Sequence, residues 1–168
     1  MVGGKGVFQY KRLIDRYYTG KMGCGFSLAN WQTEMENTEM AIFQAVDGLN
    51  LDLLTLSYTN IEVAGERLAV RTYVYNDDKS KKTLFLTHGY VMSSVYFARI
   101  LPALGQHYRI VMVDNLAWGL NSRTQNVGNA LEDPQKAEIW INTWWDKLID
   151  ALDLPPKFYM SGHSAGGA

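Results

Sequence analysis

Cysteine is almost missing from this sequence: Cys24 is the only one in 168 residues. A disulfide framework is therefore excluded, and a reducing compartment is the default expectation. Histidine is scarce too. His88, His107 and His163 are scattered and show no metal-ligand spacing with the lone cysteine, so neither a metal nor another cofactor is expected. An excess of charge is also lacking, the formal net charge being −1. No overall basic field points to nucleic acid. No apolar run approaches the ~20 residues that a membrane-spanning helix requires. Internal repeats and low-complexity tracts are absent. What remains is a composition of 47% hydrophobic residues, ordinary for roughly one globular domain.

The small net charge hides an uneven distribution. Up to Asn30, Lys5, Lys11, Arg12, Arg16 and Lys21 stand against Asp15 alone, so this tail carries +4 and the remainder −5. Tyr10, Leu13, Ile14, Tyr17 and Tyr18 recur at helical spacing opposite the cations. Such a segment suits a helix that docks on another protein, a helix lying on a lipid surface, or a targeting segment of mitochondrial type. These three readings leave a mitochondrial or membrane-associated location open. Gly20, Gly23 and Gly25 mark a break, and no strand precedes them, so they do not form a phosphate-binding loop. A second helix is expected over Thr33 to Val46, with Met35, Ile42, Phe43 and Val46 as its apolar positions and Gly48 just beyond. Residues 1–50 thus read as an N-terminal extension and 51–168 as the main domain.

Within that domain the pattern changes midway. Leu54 to Val63 and Arg67 to Tyr75 are β-branched and aromatic, and Ala64-Gly65-Glu66 suits a tight turn between them. After a polar loop the signal alternates. A short apolar strand, Thr83 to Thr87, is followed by a helix over about Ser94 to Leu104. A strand at Arg109 to Val113, stopped by Asp114, leads into an irregular loop. Pro134 then opens a helix whose apolar face is read as Ile141, Trp144, Trp145, Leu148, Ile149 and Leu152. Pro155-Pro156 ends it, and Lys157 to Met160 forms another short strand. An antiparallel hairpin followed by alternating strands and helices implies an α/β fold. Its sheet is mostly parallel and covered on both faces.

The last strand runs straight into Gly162-His163-Ser164-Ala165-Gly166-Gly167. This is G-x-S-x-G with an apolar strand before it and small residues around it. A serine hydroxyl becomes a usable nucleophile when a sharp strand-to-helix turn lifts its oxygen clear of the backbone. The turn strains the serine and tolerates only small neighbours, so a positive or otherwise strained φ is expected at Ser164. Earlier in the chain, His88-Gly89-Tyr90 ends another strand.

Taken in order, His88-Gly89-Tyr90, Tyr108 to Asp114, Trp118-Gly119, Ser122-Arg123 and Gly162 to Gly167 resemble the α/β-hydrolase family. The likeness is to the lipid-handling branch that includes lysophospholipase, acyltransferase and lipase-coactivator relatives, and it runs from about Ile61 to the end. It implies Ser164 as nucleophile and the amides of Tyr90 and Ala165 as oxyanion donors, with His88, Gly89, Gly162, His163, Gly166 and Gly167 as supporting motif positions. Ala117 departs from the glycine usual in the loop after the family aspartate, and Leu120-Asn121 replaces the usual polar pair. Asp114 is expected to fix that loop by hydrogen bonding. Trp144 and Trp145 are expected to pack in the core.

A triad in this fold runs Ser, then Asp or Glu, then His. Only four residues follow Ser164, so the acid and base are absent from this chain. None of the three histidines is a good substitute. His163 adjoins the nucleophile and reads as structural, His88 as a residue that packs and orients the oxyanion loop, and His107 as a surface residue. The strand at Lys157 to Ser161 would present an open edge, which soluble proteins cover. Two functions follow from this. In the first, the chain is the nucleophile half of an ester or lipid hydrolase, completed by a second polypeptide. In the second, it is a non-catalytic hydrolase-derived accessory subunit of a membrane-associated assembly. Both place residues 1–30 against other subunits or a lipid surface.

Overall fold

The computed structural model describes residues 28–124 and 133–167, the side chains of 28–30 excepted. The basic stripe from Tyr10 to Tyr18 and the glycines from Gly20 to Gly25 lie outside the described residues. The chain divides into two compact units, Met1–Ala41 and Ile42–Ala168. The second unit begins ahead of residue 51 because Phe43 is fully buried in its core, with Val46 and Leu49 packed beside it. Helix α1 spans Leu28–Gln44, so it starts earlier than its apolar positions alone suggest.

Among the described residues five strands form one sheet: β1 Leu54–Val63, β2 Glu66–Tyr75, β3 Lys82–Thr87, β4 Tyr108–Val113 and β5 Tyr159–Gly162. Their order is β1-β2-β4-β3-β5. The β1–β2 and β2–β4 pairs are antiparallel; β3 pairs in parallel with β4 and with β5. The β1–β2 hairpin closes through Ala64 at φ 51° and Gly65 at φ 78°. Positive φ at both central residues matches the right-handed twist of the flanking strands.

Side-chain alternation divides the apolar residues between the two faces of the sheet. One face carries Ile61, Val63, Leu68, Val70, Phe85, Val111 and Val113. These residues are covered by Trp140, Trp144 and Leu148 of α3, Pro134–Ala151. The opposite face carries Tyr73, Tyr75, Leu86, Ile110 and Met112, covered by Phe43, Val95, Phe97, Ala98 and Leu101. Trp144 and Trp145 pack edge to face with ring centroids 4.7 Å apart, and Trp145 meets Phe85 at 6.3 Å. Both tryptophans therefore serve packing, as expected.

The segment after β3 is mostly a 3-10 helix, Ser94–Ile100, which continues as the short α2, Leu101–Leu104. Its buried residues fall at three-residue intervals, Ser94 with Phe97 and Val95 with Ala98 and Leu101. That is the period of a 3-10 turn and not of an α-helix. The face of α3 is also rotated from the one read off the sequence. Trp140 is buried while Ile141 is 40% exposed, because Trp140, Trp144 and Leu148 repeat at four-residue steps along one side.

Candidate active site

The parallel register sets Thr87 beside both Val113 and Gly162. The carboxyl ends of β3, β4 and β5 therefore share one row, and the loops that follow them meet above it. Open α/β sheets place their ligands at such a crevice. Ser164 stands in the loop after β5.

Ser164 has φ 54°, a conformation that L-residues other than glycine adopt at a cost. It opens a 3-10 turn, Ser164–Gly167, which the Gly166 amide begins by donating to the His163 carbonyl at 2.9 Å. The flanking glycines are dictated by close approach. A Cβ on Gly162 would collide with the backbone of Gly166, and one on Gly166 with the carbonyls of Thr87 and His88. Two bonds fasten the turn to β3. The His163 amide donates to the Thr87 carbonyl at 3.0 Å, and the Thr87 hydroxyl donates to the Gly166 carbonyl. Ser164 and Ala165 themselves are exposed.

The loop after β3 lies directly against this turn. A Cβ added to Gly89 would sit 3.1 Å from the Ser164 Cβ and 2.9 Å from His163 Nδ1. The structure thus brings together the sequence-derived residues His88, Gly89, Gly162, His163, Ser164, Gly166 and Gly167, with Tyr90 next along the loop. Tyr90 is 70% exposed and meets Trp118 edge to face at 4.9 Å. His163 lies against Tyr96 at 4.5 Å between ring centroids.

Behind the loop sits a buried polar network. His88 is fully buried; its Nε2 accepts the Asn115 amide at 2.8 Å, and its Nδ1 lies 2.8 Å from the Gly89 carbonyl. Asp114 is also fully buried. Burial pushes its carboxyl above the usual range, opposed by the hydrogen bonds it receives from Ser94 and Leu120. The Ser94 amide donates to it at 2.8 Å and the Leu120 amide at 3.1 Å. Asp114 therefore ties together the two loops that follow β3 and β4. Asn121 continues the tie: its Nδ2 donates to the Asp114 and Asn115 carbonyls, and its Oδ1 accepts the Arg71 amide of β2. Asn115 belongs to no motif in the sequence. Its one signal there is its place directly after the strand-ending Asp114.

A base for Ser164 is not found among the histidines. Both His88 nitrogens are engaged. His107 is exposed and precedes β4, at the amino end of the parallel strands. Six residues of strand, roughly 20 Å, separate it from the row that carries Ser164. His163 is adjacent in sequence and packed on Tyr96. Among the described residues no group of His, Cys, Asp and Glu could hold a metal ion. No helix there is long and apolar enough to cross a membrane.

Comparison with known proteins bears on the fold. A model of the alpha/beta hydrolase fold matches residues 82–168, just over half of the chain. A probable 1-acylglycerol-3-phosphate O-acyltransferase of Oryza sativa subsp. japonica is 30% identical over 98 residues, which are 58% of this chain and 23% of that protein. A 1-acylglycerol-3-phosphate O-acyltransferase of Arabidopsis thaliana is 29% identical over 104 residues, 62% of this chain and 24% of the relative. The chain thus spans about a quarter of the length of these curated relatives. Among solved structures, one described as a candidate lipase of Acinetobacter baumannii AYE superimposes with a TM-score of 0.50 at 19% identity. It covers 88% of this chain and 41% of that one, and it speaks for the fold alone. With the family model over more than half its length, this chain belongs to the α/β-hydrolase fold family.

Proposed function

We propose that this chain supplies the nucleophile half of a serine enzyme that cleaves or transfers acyl groups of lipid esters. The observation that carries the reading is Ser164 at φ 54° on a strand-to-3-10 turn, packed against the glycine loop that follows β3. The lipid class is supported by the names of the two plant relatives.

In this reading Ser164 Oγ attacks the acyl carbonyl carbon, and a histidine imidazole takes the hydroxyl proton. That imidazole, with its orienting acid, comes from polypeptide other than these 168 residues, as do the strands that continue the sheet beyond β5. The carbonyl oxygen becomes an oxyanion held by the Tyr90 and Ala165 amides. Each such donor is worth roughly 10²–10³ in rate. Collapse breaks the ester C–O bond, and the alcohol leaves with the proton from the imidazolium. Water then releases the acyl group as a carboxylic acid, or the hydroxyl of an acceptor lipid takes it by transfer. The basic residues 1–30 hold the enzyme to other subunits or to a lipid surface.

The test is fluorophosphonate labelling of the native assembly, with mass spectrometry of the modified peptide. Label at Ser164, lost in Ser164→Ala, is the expected result. The isolated 168-residue chain should react no faster than free serine. An assembly labelled elsewhere, or not at all, overturns the proposal.

A further inference from the structure

We propose that the rim beside Ser164, formed by Tyr90, Val91, Tyr96 and Trp118 with Arg99 and Arg123, docks on an anionic lipid bilayer and draws the ester from it. The choice of a lipid surface rests on the reading of Ser164 as the nucleophile of a lipid-ester enzyme, and it adds the face by which that enzyme meets its substrate.

Contacts run through this rim from residue to residue. Gly89 abuts both Ser164 and His163. Tyr90 follows Gly89 and meets the Trp118 ring at 4.9 Å, while Tyr96 lies on the His163 ring at 4.5 Å. Arg123 donates at 3.1 Å to the carbonyl of Gly119, the residue after Trp118. Arg99 stands three residues after Tyr96 in the 3-10 helix, a spacing at which side chains eclipse.

Val91 is the rim residue that folding explains least. It has φ 58° and is 66% exposed. A β-branched residue is costly in the left-handed region, and an exposed valine regains nothing by burial. Asparagine would hold the same backbone more easily. Tyr90 and Tyr96 beside it are open as well, Tyr96 at 49%. Tyrosine and tryptophan suit a membrane surface because the ring enters the acyl region while the hydroxyl or indole N–H stays among headgroups.

Charge selects the occupant. From Gly89 to Gly105 and from Asn115 to Thr124 the charged residues are Arg99 and Arg123 alone. Both are exposed, and neither forms an ion pair among the described residues. Gly162 to Gly167 add no Lys, Arg, Asp or Glu. Of the carboxylates bonded to these segments, Asp114 is fully buried and Glu66 accepts the Thr124 hydroxyl at 2.6 Å. Aromatic and apolar side chains with two cations complement anionic headgroups over acyl chains. The amino end of the parallel strands differs, because Asp77, Lys79, Arg109 and Asp153 form ion pairs of both signs there.

The test is flotation of the native assembly with vesicles of phosphatidylcholine containing about 30% phosphatidylserine, beside phosphatidylcholine alone. Val91→Asn removes the apolar side chain and suits its backbone, so melting temperature should hold or rise. It should weaken binding to the anionic vesicles about fivefold. Arg99→Gln combined with Arg123→Gln should weaken it about 20-fold, the effect of two cations at such a surface, and leave binding to phosphatidylcholine within about twofold. Turnover of a soluble short-chain p-nitrophenyl ester should stay within about twofold of wild type in both variants, and Ser164→Ala should float like wild type. An assembly that does not float with anionic vesicles overturns the proposal. So does binding that survives in both variants but is lost with Lys11→Glu, Arg12→Glu and Arg16→Glu, which would place the lipid contact in the basic tail. A fall in melting temperature for Val91→Asn would show the rim packed beneath another polypeptide, and overturns it too. These three results leave the nucleophile reading standing. Turnover surviving in Ser164→Ala would instead remove that reading, and this proposal with it.

Discussion

Among the described residues five non-glycine positions have positive φ, and Ser164, Ala117 and Val91 among them show how differently that cost arises. At Ser164 the conformation is held by the close packing of the flanking Gly162 and Gly166 and by the bonds that Thr87 makes to His163 and Gly166. Gly166→Ala should consequently abolish the turn: its Cβ would enter the Thr87 and His88 carbonyls. Loss of fluorophosphonate labelling in the native assembly would report it. Ala117, at φ 63°, is exposed and stands where the family usually has glycine. Left-handed backbone costs an L-residue about 1–2 kcal/mol, partly offset by the greater freedom of glycine in the unfolded chain. Ala117→Gly should therefore raise stability by about 0.5–1 kcal/mol. In thermal unfolding that is a gain of about 1–4 °C. Asp114, a loop anchor by sequence, and Asn121, a departure from the family pattern, belong to one hydrogen-bond network.

Among the described elements, α3 contributes the largest fully buried side chain, Trp144. Trp144 is 1% exposed in the cluster beneath the sheet, and Trp144→Ala should cost about 3–5 kcal/mol in denaturant unfolding. The amino ends of β3 and β4 are held by charge instead. Arg109, 3% exposed, donates from Nε to Asp77 and from Nη1 to the Asp153 carbonyl at 2.9 Å, while Lys79 reaches both Asp77 and Asp153. Partial burial raises the Asp77 carboxyl, but its bonds to Arg109 and Lys79 outweigh that and hold it below its ordinary 3.8. A lowered folded-state value means the unfolded chain binds the proton more readily. The stabilisation is thus complete above about 3.8 and fades as pH falls through the lower folded value. Asp77 is half exposed, so solvent screening limits the effect to about 0.5–1 kcal/mol. Asp77→Asn should flatten the acid limb of a stability–pH curve by that amount and leave its neutral limb parallel to wild type.

At the scale of the whole described sheet, the feature to note is the strand at its margin. Every residue of β5 is exposed, Tyr159 at 51% and Met160 at 57%, and β3 is its one partner among the described residues. An uncovered apolar edge is a template for pairing with another chain. The isolated 168-residue protein should self-associate with rising concentration in light scattering, and Met160→Lys should suppress this by placing a charge on the edge. Much of this architecture was legible in the sequence. Strand alternation, the Ala64-Gly65 turn and the glycines about Ser164 are local constraints, set by side-chain period and by room for a Cβ. The sequence alone therefore determined the hairpin, the parallel strands and the elbow serine. Only the tertiary structure decided which face of α3 is buried and that the segment from Ser94 to Ile100 winds as a 3-10 helix. It also decided that Asn115, His88 and Gly89 form one chain of hydrogen bonds. Those outcomes depend on which neighbours residues distant in sequence acquire when the sheet aligns Thr87, Val113 and Gly162, and no local pattern records that alignment.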